Sequence, residues 1–164
     1  LDKPDILGGK NVISSAKNKL LLWGLSEKQI AEIEKTKQAK IRRETNIEIY
    51  KEFRFEAAHF LPKVPEGHPC KNIHGHSYRV KLHIKGALNP EIGWIMDFTT
   101  IKEIFAPILT QLDHALLNNI EGLSNPTCEH LAIWIWNQVK PNLSILSKVE
   151  VQETASSGCI YEGE

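Results

Sequence analysis

The chain has 164 residues, and its 20 Lys and Arg are balanced by 20 Asp and Glu. This length fits one domain with an appendage, and the zero net charge argues against a dedicated nucleic-acid binder, which normally has a basic excess. The apolar fraction of 41% is typical of a globular chain and not of a disordered one. The apolar run Leu20–Trp23 is far shorter than the roughly 18 residues of a membrane span. It is also too short for a signal peptide, so we expect no membrane partner.

Charge is unevenly distributed along the chain. Residues 1–46 carry ten Lys and Arg against six Asp and Glu, whereas residues 47–164 carry ten against fourteen. We therefore expect an N-terminal extension over residues 1–46, partly helical and of unknown role, and one domain over residues 47–164. Because the chain begins at Leu1, we expect a processed protein or part of a longer product.

The three cysteines, Cys70, Cys128 and Cys159, are odd in number and have no paired spacing. This pattern predicts no disulfide framework and favours a reducing, cytoplasmic location. For Cys128 and Cys159 we expect small, buried hydrophobic side chains. Cys70 differs from these two because histidines follow it closely.

The first predicted element is a helix that begins with a capping box at Ser26 and Gln29 and extends to about Arg43. Its apolar stripe is thin, which predicts a solvated helix lying against the main domain. A partner-binding segment or a pro-segment is the alternative.

From Ile47 the apolar period changes to two, which predicts half-buried antiparallel strands. The first strand ends at His59, and the second runs from His74 to Lys85 after a loop that contains two prolines. The short apolar run Trp94–Asp97 predicts a third strand.

Two helices are predicted after these strands. Thr100 and Glu103 form a capping box for a helix that extends through Leu112. Pro126 suits the first turn of another helix, which ends near Pro141.

A last strand is predicted where Val149, Val151 and Glu153 alternate on one face. The resulting order, β-β-β-α-α-β, lacks the βαβ alternation of parallel sheets. It predicts an α+β domain with an antiparallel sheet and two helices on one side of it.

Histidines carry the clearest chemical signal. His74 and His76 are two residues apart on a strand and therefore share a face, and His59 ends the preceding strand on its apolar face. Pairing of these strands would bring three imidazoles together, a set that suits Zn²⁺ with one position open for water or substrate. Scattered polar histidines are the alternative.

Cys70 precedes His74 in a Cys-x-x-x-His spacing, and two roles are open for it. As a fourth ligand it would close a structural zinc site. As a base or nucleophile beside the metal it would have a lowered thiol pKa. Zinc accepts either ligand set, so ligand preference does not distinguish these roles.

Two further candidate site positions have charged side chains at the ends of predicted elements. Asp113 beside His114 could tune the imidazole for proton transfer near neutral pH. The alternative is a helix-end histidine that the macrodipole favours, with an exposed Asp. Glu153 could accept two N–H bonds from a guanidine-like ring edge, or it could be an exposed strand-end residue.

Six segments occur in the order and at the spacing of one enzyme family. They are Phe55–His59, Cys70–His76, Trp94–Phe98, Leu112–His114, Asn125–Glu129 and Val151–Thr154. From about residue 47 to residue 164 the sequence resembles the 6-pyruvoyltetrahydropterin synthase family. The short interval from Cys70 to His74 resembles the branch of 6-carboxytetrahydropterin synthases in particular. Residues 1–46 lie outside the resemblance.

The resemblance implies a tunnelling fold, in which sheets from several subunits join into a barrel. It implies a homo-oligomer, a trimer or a hexamer, with active sites between subunits. It also implies Zn²⁺ on His59, His74 and His76, with Cys70 as a proton-transfer base and not a ligand.

The remaining site residues are also assigned by the resemblance. Asp113 and His114 match a proton-relay pair, Glu153 matches the carboxylate that grips the amino-pyrimidine edge of the pterin, and Thr127 lies where the family contacts the pterin. Cys128 departs from the family, because relatives often carry Ser or Thr there.

The implied substrate is 7,8-dihydroneopterin triphosphate. It would lose triphosphate and release acetaldehyde to leave 6-carboxy-5,6,7,8-tetrahydropterin, a step toward the queuosine of tRNA. Zinc would hold the side-chain hydroxyls and acidify the adjacent C–H. One alternative is the pyruvoyl enzyme, whose product keeps all side-chain carbons. The other is a non-enzymatic module that binds zinc and pterin, with Cys70 as a ligand.

Overall fold

A computed structural model describes residues 17–44 and 46–163 of the chain. The chain divides into two compact units between residues 45 and 46. This division falls one residue before the boundary that the charge distribution suggests.

The N-terminal unit contains helix α1 (Glu27–Glu44). Ser26 Oγ accepts the N–H of Gln29, and Gln29 Oε1 accepts the N–H of Ser26 at 2.9 Å, so the predicted capping box is formed. Side chains 27–37 are exposed except for Ile30, as expected for a helix with a thin apolar stripe.

No helix within the described residues is both long enough and apolar enough to cross a membrane.

The second unit is built on a five-stranded sheet with the spatial order β3-β1-β2-β4-β5. Neighbouring strands are antiparallel, except that β3 is parallel to β1, so the sheet is mixed. The strands are β1 (Asn46–His59), β2 (His74–Ala87), β3 (Ala115–Leu116), β4 (Leu146–Gln152) and β5 (Gly158–Tyr161).

Helices α2 (Phe98–Leu112) and α3 (Cys128–Val139) cover one face of this sheet. Alternate residues of β1, β2 and β4 on that face are buried, and their side chains join those of both helices in one hydrophobic core. The intervening residues are partly or fully exposed, and most of them are charged. The predicted α+β class, with two helices on one side of the sheet, is therefore confirmed.

The predicted third strand at Trp94–Asp97 is wrong. This segment has no strand pairing, because its backbone bonds are local: Asn89 N–H donates to the Trp94 carbonyl at 2.9 Å, and Asp97 caps α2 by accepting the N–H of Thr99. Ile95 and the following Met pack against the core from a loop, so their apolar character reflects burial without a strand. Asp97, and not the Thr100 capping box, therefore begins α2.

Two short strands occupy positions that the sequence did not identify as strands. Ala115–Leu116 is only two residues long, which is too short to show a period. Gly158–Tyr161, expected as a short tail, pairs with β4 and forms one edge of the sheet. Because β4 ends at Gln152, Glu153 lies just beyond the strand on which it was predicted.

Leu82 is fully buried at the centre of β2, so its substitution tests the assignment of the core. Leu82→Ala should lower the free energy of unfolding by about 2–5 kcal/mol, because it removes buried methyl groups and leaves a cavity. Lys85→Ala, at an exposed position of the same strand, should change it by less than about 0.5 kcal/mol. Urea unfolding of both variants checks this, and equal losses would contradict the assigned strand faces.

Candidate functional site

Three histidines meet where β1 ends and β2 begins. His59 is the last residue of β1 and pairs directly with His74, the first residue of β2, while His76 follows on the same face. One ring nitrogen from each histidine lies within 4.8 Å of the others. His59 is completely buried, and the other two are partly exposed. The structure thus places together the three side chains that the sequence suggested as ligands.

The hydrogen bonds of these rings fix their tautomers. His59 Nδ1 lies 2.8 Å from the carbonyl oxygen of Pro126, and His74 Nδ1 lies 2.8 Å from that of Asn72. A carbonyl oxygen only accepts, so each Nδ1 carries the hydrogen and each Nε2 presents a lone pair. This is the orientation that carbonyl groups impose on histidines that bind metals.

The two Nε2 atoms of His59 and His74 are 3.0 Å apart. Two lone pairs at this distance repel unless a cation lies between them. Burial lowers the pKa of His59 and so favours its neutral form, which is the form that binds a metal. The histidine cluster therefore fits a bound metal ion.

Glu153 lies beside this cluster. Its Oε1 is 3.2 Å from His59 Nε2 and 3.6 Å from His76 Nε2. The hydroxyl of Tyr78 donates to the same oxygen at 3.4 Å. Burial, together with the nearby Glu153 charge, raises the pKa of Tyr78, so its hydroxyl keeps the proton that it donates.

Tyr78 is a site residue that sequence reasoning missed. It follows His74 and His76 on the same face of β2, and this alternation was the available signal. Its ring stacks on Phe55 in the core, with centroids 5.0 Å apart, while its hydroxyl reaches Glu153. The carbonyls of Asn72 and Pro126 were also missed, because every residue has a backbone carbonyl and the sequence does not show which of them accept a hydrogen bond from the site.

Asp113 and His114 follow α2 directly. Asp113 accepts the backbone N–H of Glu56 at 3.0 Å and lies 3.0 Å from His114 Nδ1. The Glu56 N–H, and then the His114 ring, lower the pKa of Asp113, so this carboxyl stays charged and can stabilise a protonated imidazole. His114 and His76 line the same cleft of about 460 Å³, so this cleft extends from the pair to one histidine of the cluster.

Cys70 lies in a short 3₁₀ turn (Pro69–Lys71) of the loop that joins β1 to β2. Its N–H donates to His68 Nδ1 at 3.1 Å, and its carbonyl accepts the N–H of Leu61, which follows β1 closely. Across the described residues, the group of converging ligand atoms contains the three histidines without the Cys70 thiol. This arrangement favours a site with an open position over a closed one.

Thr127 and Glu153 line a second cavity of about 300 Å³, together with Cys128. Thr127 is the N-cap of α3 and accepts the N–H of His130 at 3.3 Å. Its hydroxyl oxygen therefore caps helix α3.

The fold and the site together define a class of protein: an α+β sheet protein with a three-histidine centre that could hold a metal ion. Comparison with known proteins identifies the family. The model of the family described as 6-pyruvoyl tetrahydropterin synthase matches residues 48–164. The chain belongs to this family.

Three relatives illustrate the likeness. A 6-carboxy-5,6,7,8-tetrahydropterin synthase of Synechocystis is 40% identical over 119 residues, which cover 69% of this chain and 91% of that protein. A 6-pyruvoyl tetrahydrobiopterin synthase of Dictyostelium discoideum is 39% identical over 101 residues, covering 58% and 74%. The solved structure of Caenorhabditis elegans 6-pyruvoyl tetrahydropterin synthase has a TM-score of 0.68 at 27% identity, covering 73% and 96%. The chain is thus an enzyme of this pterin synthase family.

The histidine cluster predicts which residues control metal content. His74→Ala should lose most of the bound metal, because it removes a ligand that points into the cluster. His83→Ala should retain it, because His83 lies on the opposite face of the same strand and contacts Glu48. Elemental analysis of both purified proteins checks this, and full metal in the His74 variant would show that the cluster is not the metal site.

Proposed function

We propose that the chain is a zinc-dependent lyase that converts 7,8-dihydroneopterin triphosphate and one water molecule to 6-carboxy-5,6,7,8-tetrahydropterin. Acetaldehyde and triphosphate are the other products. The observation that carries this proposal is the convergence of the imidazoles of His59, His74 and His76, with Cys70 four residues before His74, in a chain 40% identical to a protein named for this product. Three nitrogen donors with an open position suit catalytic zinc.

In this proposal His59, His74 and His76 hold the zinc, which supplies Lewis-acid polarisation of the substrate's side-chain hydroxyls. Pro126 and Asn72 fix the rings of the first two through their carbonyls. This arrangement keeps the Nε2 lone pairs directed at one point without further rearrangement.

The protons are handled by residues around this point. Cys70 takes a proton from the substrate's side chain, and the His114 imidazole, oriented by Asp113, serves the complementary proton step. Glu153 and Thr127 hold the pterin ring. The low pKa of Asp113 supports this role as the orienting group, because it keeps the carboxyl charged. A carboxylate 3.0 Å from Nδ1 stabilises the imidazolium that forms when His114 accepts a proton.

We also propose a homo-oligomer, a trimer or a hexamer, with active sites between subunits. The open five-stranded sheet supports this, because within residues 17–44 and 46–163 no strand pairs with the outer edge of β5 or with the outer edge of β1 before Ala57. The side chain of His114 is 78% exposed in the single chain, which leaves it available to a neighbouring subunit. A cytoplasmic location and a place in queuosine synthesis follow from the same proposal.

The pyruvoyl reaction is a second candidate, favoured by the name of the Dictyostelium relative. It would eliminate triphosphate but keep all carbons of the side chain. The two reactions therefore differ in one product, acetaldehyde.

A product assay distinguishes the candidates. Zinc-loaded protein incubated with 7,8-dihydroneopterin triphosphate should release acetaldehyde and the carboxylated pterin in equal amounts, as measured by chromatography with mass detection. Triphosphate release without acetaldehyde would move the assignment to the pyruvoyl reaction. Absence of turnover in zinc-loaded, folded protein would contradict both.

Cys70→Ala separates the two roles of that thiol. If Cys70 is a proton-transfer group, turnover should fall by roughly 10²–10⁴-fold while zinc content stays near that of the wild type. Cys159→Ala, which changes a half-buried thiol in β5, should keep both near wild type. Loss of zinc from the Cys70 variant would instead identify a fourth ligand.

A further inference from the structure

Strand β1 ends one residue before Phe60, and its pairing with other strands ends there too. β1 pairs with β2 as far as His59 and with β3 only as far as Ala58. The backbone N–H and carbonyl of Phe60 therefore lie just beyond both hydrogen-bond ladders. Phe60 is half-buried, and backbone polar groups that leave water without a partner cost free energy. These two groups need a partner from another part of the chain.

The side-chain amide of Asn118 is that partner. Its Oδ1 accepts the N–H of Phe60 at 2.9 Å, and its Nδ2 donates to the Phe60 carbonyl at 2.8 Å. Phe60 and Asn118 each lie two residues past the last pair of β1 with β3, which is Ala58 with Leu116. Because a carboxamide carries the donor and the acceptor of a peptide group, this side chain continues the pairing after β3 has ended.

A third hydrogen bond connects Asn118 with the loop before α3. Its Nδ2 also donates to the Ser124 carbonyl at 3.4 Å, the longest of the three bonds. Ser124 lies two residues before Pro126, whose carbonyl accepts the Nδ1–H of His59 at 2.8 Å. Phe60 follows His59 directly. Asn118 therefore holds the chain close to both partners of the bond that orients the His59 ring.

His59 depends on such support more than His74 does. The carbonyl that orients His74 belongs to Asn72, only two residues earlier, so the local backbone brings them together. Pro126 is 67 residues away from His59 in the chain, and only the tertiary fold brings the two segments together. His59 is also fully buried, so water does not replace the Pro126 carbonyl if the two segments separate.

We propose that Asn118 is a positioning residue for the metal centre. By holding Phe60 and Ser124 together, its amide keeps the His59 Nδ1–H on the Pro126 carbonyl and thereby directs His59 Nε2 into the histidine cluster. Asn118 acts through the orientation of one ligand and leaves the open position of the site unchanged. This role rests on the metal site of the proposed function and adds to that site a residue outside its ligands and proton-transfer groups.

Zinc affinity of the metal-free full chain tests this role without any pterin. Zn²⁺ is titrated against a chromophoric chelator, and the Co²⁺ form is examined by visible absorption. Asn118→Ala removes all three hydrogen bonds and should weaken Zn²⁺ binding by about tenfold or more, because loss of a group that orients a ligand typically has an effect of this size. The Co²⁺ bands should shift, because the His59 ring is no longer held. Asn119→Ala is the matched control, since it removes an exposed amide from the same short turn and should change neither.

A merely structural role for Asn118 predicts a different result. It would lower the midpoint of thermal unfolding of the metal-free protein but leave the Zn²⁺ affinity and the Co²⁺ bands of the folded variant at wild-type values, and that result would overturn the proposal. Circular dichroism shows whether each variant is folded at the titration temperature. If Asn118→Ala is not folded, Asn118→Asp takes its place with the same two outcomes, because it keeps the acceptor for the Phe60 N–H but loses the donor to both carbonyls.

The wild-type titration separates this role from the proposed function. If the wild type and the folded Asn118 variant bind Zn²⁺ equally well, the metal site stands and Asn118 has no part in it. If the wild type itself does not bind Zn²⁺, the metal site is contradicted, and the role of Asn118 is contradicted with it.

Discussion

The register between β1 and β2 is the constraint on which the rest of the site depends. The two strands pair without interruption from Asn46 with Ala87 to His59 with His74. Because side chains alternate between faces, a slip of one residue would turn His74 to the solvent face together with the buried Val80 and Leu82. Each of these apolar side chains contributes about 1.5–3 kcal/mol when buried. The core thus holds the three histidines in position.

Tyr78 lies at the border between the apolar core and the polar site on the buried face of the sheet. Its ring belongs to the core and stacks on Phe55, whereas its hydroxyl belongs to the site. Every polar atom beyond this point needs a partner, since an unpaired buried polar group is costly. The carbonyls of Asn72 and Pro126 supply partners for two ring nitrogens. The opposite ring nitrogens of His59 and His74 are left facing each other, an arrangement that could hold a cation.

Period and spacing in the sequence predict the parts of this arrangement that are local. Alternation along β1 and β2 predicts the two long strands and the shared face of the histidines. Contacts between distant segments could not be predicted: Glu56 and Asp113 are far apart in the chain, and only the fold brings them to 3.0 Å. At Trp94–Asp97 a strand was predicted where the structure has a loop. Apolar residues that cover a core from a loop have the same composition as a short strand. The sequence suggested the ligands but carried no sign of what orients them.

Strand β1 positions both the Asp113–His114 pair and the histidine cluster. His114 has φ 58°, in the left-handed region that is unfavourable for residues other than glycine. Its N–H donates to the Glu56 carbonyl while Asp113 accepts the Glu56 N–H, so one residue of β1 holds the strained turn from both sides. Glu56 lies three residues before His59 on the same strand. A geometry built on a single paired strand varies less than one built on loops, so within one chain the backbone of β1 sets the separation between the Asp113–His114 pair and the histidine cluster.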